Sequence, residues 1–236
     1  MPRSSPGPRA LLDAVASPLH PQAAATLAAA LDAGWAEPTR LYAEARRAAA
    51  LLERARESIA ADLGVRPPEL SFHLGAGPAA LTAALDGAAW PRRRAGATMV
   101  ASAVEHSAIL IAGRYAAAQA QDARLFLEVP VDASARVSLT AWGHAVATPG
   151  CAVAALQHAN GEVGTRQPVT AAHEQCAAAG VPLVVDAQAS LGRWGAPPAY
   201  DLLVGDASSV AGPPLGLLVV PERTAFRRSG PPREAE

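Results

Sequence analysis

Apolar and polar positions are arranged in two different ways along this chain. From Arg40 to Leu63, the apolar residues Leu41, Ala45, Ala48, Leu52, Ala55, Ile59 and Leu63 recur at three- and four-residue steps with charged residues between them. That spacing predicts one long amphipathic helix. Further on, short apolar runs lack polar alternation: Leu70–Leu74, Thr98–Ala101, Leu125–Val129, Cys151–Leu156, Pro182–Asp186, Leu202–Gly205 and Leu217–Val220. Such runs suit strands covered on both faces, and the helical stretches between them supply the crossovers that a parallel sheet needs. The fold class that follows is α/β, an open, mostly parallel sheet flanked by helices. In sheets of this kind ligands gather beyond the carboxyl ends of the strands, so the informative loops are those at Gly75, Glu105, Asn160, Asp186 and Asp206. No internal repeat is found.

Composition narrows the picture. Half of the 236 residues are hydrophobic but only 4% are aromatic, so the interior is expected to be built from small side chains in close contact rather than around deep aromatic pockets. A formal net charge of −1 gives no basic field, which argues against nucleic acid and against a membrane surface as partners. The cluster Arg92, Arg93, Arg94 reads as a solvated turn. Cys151 and Cys176 are far apart and lack the spacing of a zinc site, so both are expected to be buried small residues, with no metal. The start of the chain has no signal-like or spanning apolar run, and the cytoplasm is the expected location. One count matters most: all twenty Lys+Arg residues are arginine, so the chain contains no lysine.

A series of segments, in order, carries a family pattern. LDAVASPLHP and EPTRLYAEARRA open it. His73-Leu74-Gly75-Ala76-Gly77-Pro78-Ala79 stands where a phosphate loop T-S-G-G/A-T-E-A is found, and Glu105-His106-Ser107-Ala108 matches EHxA. Asn160-Gly161-Glu162-Val163-Gly164-Thr165 stands where NNExGT is found, and Asp186-Ala187-Gln188-Ala189-Ser190-Leu191-Gly192 where DAxQxxG is found. Asp206-Ala207-Ser208-Ser209-Val210-Ala211-Gly212-Pro213 matches a lysine loop S-x-H-K-x-x-GP. From about Leu11 to Pro221 the chain resembles the cysteine desulfurases and selenocysteine lyases of the class V aminotransferase family, pyridoxal-phosphate enzymes of fold type I. The resemblance implies a large cofactor-binding domain over residues 11–221, with flexible tails at 1–10 and 222–236. It also implies a small carboxyl-terminal domain, bearing a catalytic cysteine and a substrate-binding arginine, that this sequence does not contain.

By the same resemblance His106 would lie against the cofactor ring, Asp186 would hold the ring nitrogen, and Asn160 would be a further retained contact. The departures are as specific. Ser209 stands at the Schiff-base lysine and Ser208 at the histidine before it. Gly77 replaces the phosphate-binding threonine, Gly161 the second asparagine, and Ala189 the glutamine. Gln188 is a shifted substitute for that glutamine, although a slip of one residue normally points a side chain elsewhere. A serine hydroxyl cannot form an imine, so no cofactor is expected to be bound covalently. Loss of three polar contacts at about 1 kcal/mol each leaves at most weak noncovalent binding of pyridoxal phosphate.

The leading expectation is a pseudoenzyme that keeps the fold and dimer surface. It would act as a partner or regulator in sulfur metabolism, as a homodimer or a heterodimer with an active desulfurase relative. Two alternatives stay open. Ser208 or Ser209 with His106 and Asp186 supplies the residue types of a hydrolytic triad. Gly75-Ala76-Gly77, after a strand and opening a helix, offers main-chain amides to a noncovalent phosphate ligand.

Overall fold

The computed structural model describes residues 17–34, 36–119, 122 and 125–228. The expected tail at 1–10 and the stretch 229–236 lie outside the described residues. All seven apolar runs form strands: β1 (Leu70–Leu74), β2 (Thr98–Ser102), β3 (Phe126–Val129), β4 (Cys151–Gln157), β5 (Leu183–Asp186), β6 (Leu202–Asp206) and β7 (Leu215–Val219). They form one sheet in the order β1-β7-β6-β5-β4-β2-β3. The pairs among β2 to β6 are parallel, while β7 runs antiparallel to both β6 and β1.

Among the described residues six α-helices accompany the sheet: α1 (Pro21–Asp32), α2 (Ala43–Leu63), α3 (Ala76–Ala89), α4 (Ser107–Gln119), α5 (Leu139–Val146) and α6 (Val169–Ala178). The strands bury both faces, as unalternating runs require. Along β4, Ala154 and Leu156 join one apolar cluster with Trp142 of α5 and Ala172 of α6, whereas Val153 and Ala155 join another with Leu81 and Leu85 of α3 and Ile109 of α4. Small residues set these contacts, in keeping with the alanine-rich sequence. At Gly113 of α4 a Cβ would collide with the Phe126 ring.

The long helix departs from its predicted face. It starts at Ala43, after an extended Tyr42, so Leu41 lies outside it and is 87% exposed. Arg56, read as part of the polar face, turns inward. Its Nη1 donates to the Leu70 carbonyl at 2.6 Å, and its guanidinium lies over the Phe72 ring. Arg92 departs similarly. It is half-buried and donates to the carbonyls of Cys151 and Gly180, joining the 3-10 turn Trp90–Arg92 to the segments that lead into β4 and β5, while Arg93 packs over Trp90.

Both cysteines are buried and free, and burial raises their thiols to about 11 at Cys151 and about 12 at Cys176. Residues 222–228, expected to belong to a flexible tail, are tied down. The Glu222 amide donates to Glu69 at 2.8 Å, Thr224 to the Asp201 carbonyl at 2.9 Å, and the Arg227 amide to Gly87 at 3.0 Å. Among the described residues no helix is long and apolar enough to cross a membrane.

Candidate functional site

Strand order reverses between β2 and β4, since β3 lies beyond β2 on one side and β5 and β6 follow β4 on the other. Such a reversal opens a crevice at the carboxyl ends, the usual ligand position in open α/β sheets. Here the chain bridges it. Glu105, three residues beyond β2, is buried, and its Oε1 accepts from the Ser102 hydroxyl at 2.6 Å and from the Gln157 amide at 3.0 Å. The Gln157 and Asn160 side-chain amides both donate to the Val104 carbonyl, at 2.7 and 3.2 Å. Burial pushes the Glu105 acid up to about 8, against the pull of its Ser102 and Gln157 bonds and with help from nearby Asp186. Its Oε2 is buried without a hydrogen-bond partner.

Asp186 ends β5, where the preceding Val184 and Val185 are fully buried. A carboxylate there requires partners, and Gln188 provides both. Its main-chain amide donates to Oδ1 at 2.9 Å and its side-chain amide to Oδ2 at 3.0 Å. Burial raises the Asp186 acid above its ordinary value, although these bonds and His106 oppose the shift. A turn follows Asp186 at once, so strand alternation no longer governs position 188, and the side chain folds back onto the carboxylate two residues before it. Its carbonyl lies where a Cβ at Gly77 would stand. Ala189, at the family glutamine position, is half-buried beside it.

A third carboxylate completes this edge. Asp206 ends β6, is buried, and accepts from the Gly77 amide at 2.6 Å and the Ser208 amide at 2.8 Å. Gly77 lies in the first turn of α3, which begins from left-handed backbone at Gly75 (φ +96°) and Ala76 (φ +64°). Close approach of that turn to the sheet depends on Gly216 of β7, where a Cβ would collide with the Ala76 carbonyl.

The remaining sequence candidates are engaged locally. His106 is exposed, with Nδ1 accepting from the Ala108 amide at 3.1 Å. Asn160 Oδ1 accepts from the amides of Glu162 and Val163, which shapes the loop containing the half-buried Gly161. Ser208 is half-buried and serves the Asp206 cap through its amide, while Ser209 is buried with its hydroxyl 2.7 Å from the Asp206 carbonyl and 3.2 Å from that of Leu191. His106, Asp186 and either serine share no hydrogen bond, so the triad residue types are not assembled as a triad.

Sequence reasoning passed over Glu105 and Asp206 as site residues, although each closes a buried strand or its turn and raises the same question as Asp186. It also passed over His158, whose Nδ1 lies 2.9 Å from the Ser190 hydroxyl. Both are almost wholly buried, and burial lowers the His158 pKa, with Arg166 adding to the effect. The pair joins the ends of β4 and β5 inside the protein.

Comparison with known proteins agrees with this architecture. Residues 10–194 match the family pattern of the class-V aminotransferases. An IscS-like cysteine desulfurase of Mycobacterium tuberculosis is 32% identical over 184 residues, covering 76% of this chain and 46% of the relative. A NifS/IcsS protein homolog of Lactobacillus delbrueckii subsp. bulgaricus is 29% identical over 151 residues, covering 64% of this chain and 38% of that protein. The matched segments thus span less than half the length of these two relatives. Among solved structures, a NifS-like protein superposes with a TM-score of 0.83 at 21% identity, over 94% of this chain and 62% of that one. SspA in complex with cysteine gives 0.82 at 23% identity, over 94% and 65%. These structures share the fold, and with the sequence match over residues 10–194 they establish that the chain belongs to the class-V aminotransferase family.

Proposed function

We propose that this chain is a cysteine desulfurase-like member of the family that does not perform pyridoxal-phosphate chemistry and acts in the cytoplasm as a binding partner in sulfur transfer. The observation that carries the reading is position 209. The cofactor supplies an electron sink once its aldehyde is held as an imine by a lysine amine. In this chain the corresponding residue is a buried serine whose hydroxyl faces two main-chain carbonyls, and there is no lysine elsewhere in the sequence. The neighbouring groups do not fit the cofactor either. Asp206 takes the Gly77 amide, Gln188 takes both oxygens of Asp186, and His106 is turned to its own main chain.

The partner half of the reading rests on apolar surface. Helix α1 buries none of its residues and exposes Leu27 and Leu31, and α4 exposes Ile111 (64%) and Tyr115 (65%). Large apolar side chains on outer helix faces are a feature of protein-binding surfaces. The expected partners are a second copy of the chain or a full-length desulfurase relative.

Sulfide release tests the proposal. The purified chain with pyridoxal phosphate and L-cysteine should release no sulfide above the cofactor-only background. Titrated into a full-length cysteine desulfurase from the same organism, it should co-elute and change that enzyme's rate. Chain-dependent sulfide release in the first assay would contradict the reading.

A further inference from the structure

We infer that the Asp206 carboxylate is a built-in anion seated at the amino terminus of α3, and that together with the Gln188 amide it closes this edge of the sheet to phosphate-bearing ligands. The inference rests on the reading of the chain as cofactor-silent and explains how the silence is enforced beyond the missing lysine.

Helix α3 is 14 residues long, has no acidic residue in its first turn, and receives no side-chain cap from Gly75. The first-turn amides of a helix have no partner within the helix, and the helix dipole makes that end favourable for negative charge. A phosphate commonly takes such a position. Here Asp206 Oδ2 takes it, 2.6 Å from the Gly77 amide, while Oδ1 accepts from the Ser208 amide at 2.8 Å. One carboxylate thus caps α3 and the 3-10 turn Ala207–Val210 together. Because both oxygens accept main-chain donors, the group is used as an acceptor-only carboxylate.

The seat is also blocked sterically and electrostatically. Asp206 is 5% exposed and closes a strand paired on both sides, so its backbone is fixed and its carboxylate is held in the seat by burial and by its two main-chain donors. Gln188, held by two bonds to Asp186, fills the volume next to Gly77 where a Cβ would otherwise stand. An incoming phosphate would displace that amide and then meet the carboxylate of Asp206, with Asp186 behind it. No cluster of three or more metal-binding side chains occurs among the described residues, so a bound cation has no ready-made site from which to invert this field.

The experiment uses inorganic phosphate, which has no aldehyde and so reports on the seat independently of imine formation. Binding is followed by titration calorimetry on the native chain, Asp206→Ser and Asp206→Asn, with cooperative melting as the check on folding. The native chain should show no saturable binding at about 10 mM phosphate, a level that detects even millimolar affinity. Asp206→Ser removes the charge and frees the Gly77 amide, and should bind at least about tenfold more tightly than the native chain. Asp206→Asn keeps an acceptor oxygen without the charge and should fall between the two. If Asp206→Ser does not fold, the Asn variant decides by the same comparison. Equal binding by the native chain and a folded variant would overturn the inference. It would leave the cofactor-silent reading standing, since that reading fails only on imine formation or chain-dependent sulfide release.

Discussion

The carboxyl edge of the sheet and the outer faces of α1 and α4 treat unmatched groups in opposite ways. At the edge nearly every polar group is satisfied from within the chain: Gln188 serves Asp186, Gly77 and Ser208 serve Asp206, and Ser102 and Gln157 serve Glu105. On the two helices, Leu27, Leu31, Ile111 and Tyr115 face outward with no apolar cover. A site built for a ligand normally leaves polar groups convergent and unspent, and a surface built for solvent normally avoids large apolar side chains. In this chain the polar groups of the edge are spent within the chain, while large apolar side chains are exposed on the flank and, at Leu74 and Val210, at the edge as well. The spent polar groups are what the proposed role in association, rather than in chemistry at the edge, rests on.

The largest expected effect tests how closed the edge is. The folded Glu105 acid, at about 8, lies above its ordinary value of 4.5, so the folded chain keeps a proton that the unfolded chain has already released. This contribution is complete below pH 4.5 and is lost as pH rises to about 8, a window worth up to about 5 kcal/mol. Asp186, also raised, adds slope of the same sign. Urea midpoints should therefore fall between pH 5 and pH 8, and Glu105→Gln should flatten that profile. A native profile that rises through this range would reopen the account of the edge.

Gly216→Val tests whether close seating of α3 holds the edge together. The new side chain would meet the Ala76 carbonyl at the start of that helix, with a loss of about 2–3 kcal/mol in a chemical denaturation series. Unchanged stability would mean that the turn carrying Gly77 is loosely placed.

The flank should respond in the reverse sense. Ile111→Glu combined with Tyr115→Glu should change stability by less than about 0.5 kcal/mol, because neither side chain is buried in the single chain. The same pair should abolish the dimer that light scattering is expected to find for the native chain, or its co-elution with a full-length desulfurase. Retention of both would move the association surface elsewhere.

The smallest effect is expected from Ser209→Lys. It places an amine at position 209 but leaves Asp206 on the Gly77 amide and Gln188 on Asp186, and contacts that act as a unit do not return singly. Weak colour with pyridoxal phosphate and no sulfide release above background are expected. Robust turnover in the single mutant would show that one residue alone separates this chain from an active enzyme.

The sheet was legible because apolar runs shielded on both faces have few alternatives, and all seven became strands within a residue or two. The long helix was legible in extent but less so in orientation. Arg56 turned inward because a strand carbonyl at Leu70 lay within reach of its guanidinium, which spacing within the helix does not encode. The order of the motifs placed the edge. How the edge is filled depends on contacts between distant segments, such as Gly77 with Asp206 and Glu105 with Gln157. A signal for Asp206 was available nonetheless. An acid closing the buried run Leu202 to Gly205 must be capped by something, just as one after Val184 and Val185 must be.

The central claim is that no side chain here holds the cofactor. Its most direct measurement is incubation of the purified native chain with excess pyridoxal phosphate, followed by borohydride reduction and peptide mass mapping. The account predicts no internal-aldimine absorbance band before reduction and no reduced pyridoxyl adduct on any side chain, since the sequence contains no lysine. A reduced adduct mapped to a side chain would contradict it.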